Sequence, residues 1–419
     1  MTRQLREFEN IINTERIIEL CANTVRLYDQ RVINHGERVA YIAYRIWEQL
    51  HEDDMDLTAL LMLCIFHDVG VYRTGEMEEM LGYETSQLTE HSVYGYLFIK
   101  HFSPWPEYSE AILHHHTSYQ AMQMKQVKCI DYAGMVHLAD YVDSALISGE
   151  SKETILKEIQ NVRFHPQYVK VLEALMSSSD LYELLTSGDD SIVYQSLKNV
   201  HHLTFEKSIH LLEMLIHSID FKSNVTVAHS ITTAGVATFL AENMGLSPEQ
   251  VKKIQIGSLV HDVGKIATPR EILEKKGRLT KEEFKVMQQH VVSSEQILQG
   301  ILSQEVLRIA VRHHEKLDGS GYPNGLQADD LTMEERIVAV ADLTSALLSK
   351  RSYKEGFSMD QTKELMQDMA SQSLVDQQLV TLVCENIEQL HAFIQSENKK
   401  IIDIRTAIAK EYKALISIA

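Results

Sequence analysis

The stretch His261-Asp262-Val263-Gly264 repeats a stretch that stands 194 residues earlier in the chain, His67-Asp68-Val69-Gly70. Both copies end an apolar helical segment, and in both a glycine follows the aspartate by two residues, where helices commonly stop. Adjacent imidazole and carboxylate groups at a helix end are suited to binding a metal ion. The repeated stretch therefore predicts a helical fold with one His-Asp pair in each half.

The His-Asp pair belongs to a longer repeat. Five more histidine and aspartate positions recur in the same order, at offsets of 194 to 202 residues. The first set is His35, His91, His114, His115 and Asp140, and the second is His229, His290, His313, His314 and Asp342. A single repeated dipeptide would mean little, whereas seven ordered positions indicate a duplicated domain.

Helix-breaking residues are few: the chain contains 6 prolines and 18 glycines in 419 residues. This sparseness favours long helices. Asp140 and Asp342 lie inside apolar helical segments, where an unpaired carboxylate would be costly to bury. We therefore predict an all-α protein of two tandem helical bundles plus a C-terminal helix, with a cationic partner beside each buried aspartate.

The predicted domain boundary is the polar, turn-rich stretch from Ser177 to Asp190. This places a first domain over 1–180, a linker over 181–200, a second domain over 201–395 and a helical tail over 396–419. Apolar residues of the tail recur at helical spacing, at Ile401, Ile404 and Ile408. They predict a packing helix or a homodimer helix rather than a catalytic element.

Charge and cysteine content exclude several classes of protein. The net charge is −19, which argues against binding duplex nucleic acid because such binding requires basic groups. The four cysteines are scattered without a CxxC pair, as in reduced cytosolic proteins. No apolar run reaches ~18 residues, and the N-terminus has no apolar signal core. We expect a soluble, cytoplasmic protein with no membrane partner.

The ligand set of the second repeat exceeds what one ion needs, with five imidazoles and two carboxylates. These groups suit divalent metals such as Fe, Mn, Zn or Ni. Asp262 directly follows His261, so its carboxylate can bridge two ions. Two ions ~3.5–4 Å apart stabilise an in-line displacement at phosphorus. The pattern therefore predicts a phosphate-ester hydrolase.

The residues between these ligands carry further motifs. They are His261-Asp262-Val263-Gly264-Lys265-Ile266, then His313-His314-Glu315-Lys316-Leu317-Asp318-Gly319-Ser320-Gly321-Tyr322-Pro323, and then Arg336-Ile337-Val338-Ala339-Val340-Ala341-Asp342. From about residue 220 to 380 the chain resembles the HD-GYP family of cyclic di-GMP phosphodiesterases. The resemblance implies an HD-type helical bundle with a two- or three-metal centre. It also implies hydrolysis of cyclic di-GMP to linear pGpG, and in some members to GMP.

The resemblance assigns roles to residues. One ion would be held by His229, His261, Asp262 and Asp342, and the other by Asp262, His290, His313 and His314. Lys265 would lie at the scissile phosphate. Substrate contacts would come from Gly321, Tyr322 and Pro323, and from two cations, Arg351 and Lys354.

The sequence departs from the family pattern at two places. Members with three ions carry Glu four residues before the first His, where this chain has Val225, so we expect two ions, most naturally Fe or Mn. The family's Arg-Pro-Tyr-Lys reads Arg351-Ser352-Tyr353-Lys354. Both cations are kept.

The first repeat keeps all seven ligand positions and resembles a plain HD domain. Val71 stands at the position of Lys265, Gly149 stands at the position of Arg351, and no Gly-Tyr-Pro follows the histidines. It could be a hydrolase for another phosphate ester, a metal or ligand sensor, or a degenerate domain. We expect His35, His67, Asp68, His91, His114, His115 and Asp140 to hold one or two ions without hydrolysing cyclic di-GMP.

Two alternatives to a cyclic di-GMP phosphodiesterase stay open. HD chemistry also serves other nucleotides, so the second repeat could be a broader nucleotide phosphohydrolase. It could also be a non-catalytic receptor for cyclic dinucleotides. The intact ligand set and Lys265 argue against the receptor.

Overall fold

The computed structural model describes residues 20, 30–50, 55–71, 90–178, 181–187, 204–222, 227–349 and 356–417. Within these ranges the regular structure is helical and contains no strand, apart from one isolated antiparallel bridge between Asp318 and Gln327. The predicted all-α fold class is confirmed.

The chain divides into two compact units, and each unit contains one copy of the repeat. Glu15–Lys207 and Thr406–Ala419 form one, here called the N-terminal unit. Met1–Thr14 and Ser208–Arg405 form the other, here called the C-terminal unit. The domain limits expected from the sequence, 1–180, 181–200, 201–395 and 396–419, stay predictions.

The helices that the structure describes in the first half of the chain include one whose residues are almost all buried. They are α1 (Gln30–Leu50), α2 (Leu57–Phe66), α3 (Glu90–Phe102), α4 (Ser109–Leu113), α5 (Tyr119–Lys125), α6 (Ile130–Ile147), α7 (Lys152–Glu158), α8 (Pro166–Ser178) and α9 (Leu181–Thr186). Helix α2 is buried from Ala59 to Phe66, as an apolar helix without a polar face must be. It delivers His67 directly into the protein interior.

The structure describes ten α-helices in the second half of the chain, and the last of them is the longest. They are α10 (Phe205–Lys222), α11 (Val227–Asn243), α12 (Pro248–Val260), α13 (Arg270–Leu273), α14 (Lys281–Leu298), α15 (Gln304–Val311), α16 (Met333–Leu348), α17 (Met359–Ser371), α18 (Gln377–Glu385) and α19 (Ile387–Ile416). Capping boxes begin α12, α14, α16 and α17, with Ser or Thr at the N-cap and Glu or Gln three residues later.

The glycine of each repeated stretch lies where two backbone segments meet. A Cβ at Gly264 would lie 2.0 Å from the carbonyl oxygen of His290, and a Cβ at Gly70 would lie 2.0 Å from that of His91. Because no side chain fits at that distance, only glycine lets the His-Asp turn pack on the helix that supplies the next histidine. The repeated glycine therefore serves helix packing as well as helix termination.

Helix α19 has two differently packed ends. Ile387, Leu390 and Ile394 are buried in the core of the C-terminal unit. Its last residues belong to the N-terminal unit, where Tyr412 stacks on Tyr94 with ring centroids 4.2 Å apart. The predicted packing role of this segment agrees with these contacts, whereas the homodimer stays a prediction. Among the residues described, no helix combines the length and apolarity that crossing a membrane requires.

Candidate metal centres

Backbone carbonyl groups orient three histidine rings of the C-terminal unit. In each case Nδ1 donates to the carbonyl three residues earlier: His261 to Ser258 at 2.7 Å, His290 to Met287 at 2.6 Å and His313 to Ala310 at 2.7 Å. A proton held on Nδ1 leaves the lone pair on Nε2, the atom that binds a metal. The local helical structure thus fixes the tautomer of each ring.

Asp262 lies between two groups of histidines. Its Oδ2 is 3.2 Å from Nε2 of His261 and 3.8 Å from Nε2 of His229. Its Oδ1 is 3.3 Å from Nε2 of His290 and 3.9 Å from Nε2 of His313. Because each oxygen faces a different pair of rings, the carboxylate is placed to bridge two ions.

Asp342, on helix α16, faces the same two groups of histidines. Its Oδ1 is 2.7 Å from Nε2 of His229, and its Oδ2 is 3.8 Å from Nδ1 of His314. The ligand atoms converge in two sets that could each hold one ion, His229-His261-Asp262 and His290-His313-His314. All seven side chains expected in this half are therefore brought together.

The residues fit bound metal ions. Within the described part of the chain, Nε2 of His261 and Oδ1 of Asp262 are buried and have no hydrogen-bond partner. Burying such groups without a partner is costly. Because Oδ1 of Asp262 faces the other group of histidines, one cation in each ligand set would satisfy both atoms, which is how imidazole and carboxylate ligands behave at a metal.

The charge states suit metal ligands too. Burial opposes ionisation of Asp262, but the neighbouring His261 and Lys265 hold the pKa of its carboxyl group well below the usual range. Burial lowers the pKa of His314 to about 4. At neutral pH the carboxylate is therefore ionised and this imidazole is neutral, as coordination requires.

The N-terminal unit reproduces this geometry. Oδ2 of Asp68 is 3.3 Å from Nε2 of His67, and its Oδ1 is 3.6 Å from Nε2 of His91. Nε2 of His115 and Oδ2 of Asp140 are buried without a hydrogen-bond partner in the described residues. The ligand atoms form the sets His35-His67-Asp140 and Asp68-His91-His115-His116.

The structure corrects one histidine of the predicted N-terminal set. His115 donates from Nδ1 to the carbonyl of Ile112 at 2.6 Å, as His313 does to Ala310, so His115 corresponds to His313 and His116 to His314. Nδ1 of His114 instead lies 3.2 Å from Oγ1 of Thr117, and His114 does not join the cluster. The prediction of His114 as a ligand is wrong.

Sequence comparison of the two repeats could not resolve this register. Ala111, Ile112 and His114 align without a gap with Ala310, Val311 and His313, although Leu113 aligns with Arg312. The match favours His114 in place of His115. The only warning in the sequence was the third consecutive histidine, His116.

A second difference between the units involves the residues next to the first histidine of each set, His35 in one unit and His229 in the other. Nδ1 of His35 lies 2.7 Å from Oδ2 of Asp143, and Arg38 donates from Nε to Oδ1 of Asp143 at 2.6 Å. The corresponding residues of the C-terminal unit are Ser345 and Thr232, whose hydroxyl oxygens lie 2.5 Å apart. Sequence reasoning missed this carboxylate, although it lies three residues after Asp140 on the same face of α6.

Among the described residues, Lys265 brings a positive charge to the C-terminal ligand cluster. It lies three residues after Asp262, on the 3-10 helix Val263–Ala267, and its Nζ contacts Oδ2 of Asp262. Val71 has the same backbone position in the other repeat, because its N–H donates to the carbonyl of Asp68 as that of Lys265 donates to Asp262. Val71 is fully buried and brings no charge.

The Gly-Tyr-Pro loop packs against the candidate metal ligands of the C-terminal unit. The ring of Tyr322 lies 4.7 Å from that of His314, and its N–H donates to the carbonyl of His314 at 3.2 Å. The peptide bond between Tyr322 and Pro323 is cis. A Cβ at Gly321 would lie 2.5 Å from Cα of Glu315, so the loop lies directly on the His-His-Glu segment.

Glu315 holds this loop by hydrogen bonds between its buried carboxylate and the loop's backbone. It is 4% exposed, and its carboxylate accepts the N–H of Asn324 at 2.7 Å and that of Leu326 at 2.9 Å. The position after His116 in the N-terminal unit is Thr117, whose side chain has one hydroxyl oxygen and no carboxylate. The clamp explains how the loop is held where the sequence alone shows only a turn.

Three residues of the sequence predictions lie outside the described residues. They are Arg351 and Lys354, expected to contact substrate phosphates, and Val225, expected to leave the centre with two ions. Their roles stay predictions.

Comparison with known families supplies an independent view of the two repeats. Residues 32–145 match a family model described as HD domain, and residues 212–379 match a second model with the same description. The chain is a tandem HD-domain protein. The two-domain architecture expected from the sequence is therefore confirmed, and each HD domain contains one of the metal clusters described above.

Named relatives of this tandem HD-domain protein match different shares of the chain. The 3'3'-cGAMP-specific phosphodiesterase 1 of Vibrio cholerae is 28% identical over 87% of this chain and 90% of its own length. The cyclic di-GMP phosphodiesterase response regulator RpfG of Xanthomonas campestris is 42% identical, over 37% of this chain and 42% of its own length.

A solved structure resembles the fold of this chain. It is the crystal structure of the cyclic GMP-AMP specific phosphodiesterase V-cGAP3 of V. cholerae. Its TM-score is 0.53 at 19% identity, with 92% of this chain and 98% of that chain covered. At this identity the likeness supports the fold.

Proposed function

We propose that the C-terminal HD domain is a metal-dependent phosphodiesterase that hydrolyses cyclic di-GMP. The observation that carries the proposal is the position of Asp262, whose two oxygens face separate pairs of histidines. One carboxylate shared between two ligand sets is the arrangement that two-metal phosphoester hydrolysis needs. The two ions would be divalent transition metals, Fe or Mn, which accept imidazole and carboxylate ligands.

The protein's own groups have distinct tasks in this reaction. When bound, divalent ions would activate water and offset charge on the phosphate. Backbone carbonyls hold the Nδ1 protons of His261, His290 and His313, so each ring can present its Nε2 atom to an ion. Lys265 lies against Asp262, so its ammonium group can stabilise negative charge that grows on the phosphate oxygens.

The net reaction adds one water molecule for each phosphodiester bond that breaks. Cleavage of one of the two bonds opens the ring to linear pGpG, and cleavage of the second gives GMP. The loop of Gly321, Tyr322 and Pro323 lies on the ligand His314 and would form one wall of the substrate site. Arg351 and Lys354 would bind the substrate phosphates.

The N-terminal HD domain has metal ligands without the substrate groups. Val71 replaces the lysine, and Thr117 replaces the glutamate that holds the Gly-Tyr-Pro loop. We propose that His35, His67, Asp68, His91, His115, His116 and Asp140 hold one or two ions and that this centre does not hydrolyse cyclic di-GMP. A cytoplasmic location, a homodimer through the C-terminal helix and the lack of duplex nucleic acid binding stay predictions.

A second candidate substrate follows from the comparisons. The V. cholerae relative that matches 87% of this chain is named as 3'3'-cGAMP-specific, whereas RpfG, which is named as a cyclic di-GMP phosphodiesterase, matches 37% of this chain. The full-length protein, purified anaerobically and loaded with Mn²⁺ or Fe²⁺, should be given cyclic di-GMP and 3'3'-cGAMP separately. Product analysis by anion-exchange chromatography then ranks the two substrates.

The same experiment tests the alternatives. Loss of turnover on adding a chelator is expected of the phosphodiesterase. Binding of cyclic di-GMP without any product would indicate a receptor. Faster turnover of nucleoside triphosphates than of either cyclic dinucleotide would indicate a broader phosphohydrolase.

A further inference from the structure

Phe284 is an aromatic side chain that the protein leaves in solvent beside its metal centre. It is 45% exposed and is the one aromatic residue among the exposed large hydrophobic side chains of the described residues. It lies in the first turn of α14, the helix that also carries the ligand His290. Exposing a phenylalanine ring forgoes the free energy of burying it, so its position invites a functional explanation.

Three rings connect the metal ligands to this exposed site. His314 lies 4.7 Å from Tyr322, and Tyr322 lies 6.0 Å from Phe284 in an edge-to-face contact with an interplanar angle of 83°. An edge-to-face contact occupies at most one face of one ring. A flat ligand can therefore still pack on the aromatic surface that Phe284 and Tyr322 form.

Tyr322 is held firmly enough to serve as the inner part of this surface. Its N–H bonds to the carbonyl of His314, and Glu315 binds the backbone of Asn324 and Leu326 just beyond it. Phe284, on helix α14, extends the surface outward from the Gly-Tyr-Pro loop. The two rings thus form a wall that starts at a metal ligand and ends in solvent.

A cyclic dinucleotide presents a flat purine ring on each side of its scissile phosphate. With the phosphate at the metal ligands, a base must leave the centre along one of its walls. Aromatic side chains bind bases by stacking because every base has a π-face. We infer that Phe284, together with Tyr322, is the surface on which a purine base of the substrate stacks. The inference rests on the proposed function of the C-terminal HD domain.

The test compares Phe284 variants in the full-length, metal-loaded protein. Phe284→Ala should raise KM for cyclic di-GMP about tenfold, equivalent to ~1.4 kcal/mol, and change kcat by less than about twofold. Phe284→Leu, which keeps apolar volume without a π-face, should behave like the alanine variant, and Phe284→Trp should keep the wild-type KM. Metal content should stay unchanged in all three.

Two controls separate stacking from general damage. Val286 is 39% exposed on the same helix but points to a different face, two residues on, so Val286→Ala should leave KM unchanged. Thermal unfolding of Phe284→Ala should match that of wild type, because the ring is already partly exposed. A Leu variant equal to wild type, or a Val286→Ala variant with the same rise in KM as Phe284→Ala, would overturn the inference.

Direct binding distinguishes failure of this inference from failure of the proposed function. The Kd of cyclic di-GMP, measured by equilibrium dialysis, should also rise about tenfold in Phe284→Ala. A wild-type protein that binds cyclic di-GMP without hydrolysing it would refute the phosphodiesterase, and the Kd difference would still support or overturn the stacking surface. A wild-type protein that neither binds nor hydrolyses it would overturn both.

Discussion

Oδ2 of Asp143 lies 2.7 Å from Nδ1 of His35, so a buried carboxylate orients the first histidine of the N-terminal centre. Burial alone would favour the neutral ring, but the hydrogen bonds to Asp140 and Asp143 raise the pKa of His35 to about 9. Arg38 binds the same carboxylate and balances its charge. The C-terminal centre has Ser345 and Thr232 at these positions and lacks the ionic pair.

We predict that Asp143→Asn weakens metal binding in the N-terminal centre only. Loss of a carboxylate that orients a ligating histidine commonly costs 10–100-fold in metal affinity. Metal content of the full-length variant, measured after dialysis against graded chelator, should fall by the N-terminal share while cyclic di-GMP turnover is kept. The surface variant Asp131→Asn is the matched control. Metal retention equal to wild type would show that Asp143 does not position His35.

Glu315→Gln should loosen the Gly-Tyr-Pro loop. Glutamine keeps one acceptor oxygen but turns an NH₂ group toward a backbone N–H, which leaves a donor without a partner at a cost of ~1–3 kcal/mol. Hydrogen exchange of residues 318–326 should quicken, and KM for cyclic di-GMP should rise several-fold with metal content unchanged. Glu305→Gln, at an exposed carboxylate on α15, is the control. Unaltered exchange in the loop would contradict the clamp.

Lys265→Ala should reduce kcat for cyclic di-GMP by about 10²–10³, the usual effect of removing one group that stabilises a transition state. Both ions should stay bound, because the lysine is not a ligand. Lys253→Ala, which removes a partly buried cation that pairs with Glu305, should keep full activity. Retention of kcat within a factor of two would mean that Lys265 does not act on the scissile phosphate.

The two bridging aspartates should differ in their effect on cyclic di-GMP hydrolysis. Asp262→Asn removes a negative charge between two cations and should abolish turnover, with loss of one or both C-terminal ions. Asp68→Asn should leave turnover within about tenfold of wild type, a change of at most ~1.4 kcal/mol in the barrier. The pair of variants is compared by steady-state kinetics and metal analysis. Equal inactivation by the two substitutions would contradict the assignment of the active site to the C-terminal HD domain alone.

Much of the metal centre could be predicted because residue type and sequence neighbours identify its ligands. Imidazole and carboxylate groups next to apolar helical segments are identifiable from residue type and order alone, and the repeat supplied a second reading of every position. The structure brings together all seven ligands expected in the C-terminal unit and six of the seven expected in the N-terminal unit. The fold class followed from the same helical periodicity.

The remaining features depend on contacts between distant parts of the chain. Consecutive residues of a helical turn point ~100° apart, so only the packing of α4 decides that His115 and His116, rather than His114, face the metal site. The pairing of Asp143 with His35 spans 108 residues, and Phe284 meets Tyr322 through two separate segments. The sequence by itself determined which groups could bind metal and that they occur twice. Tertiary structure decided which ring faces which ion, what holds the substrate loop and where an aromatic surface meets solvent, because these depend on how helices pack and not on the order of residues within them.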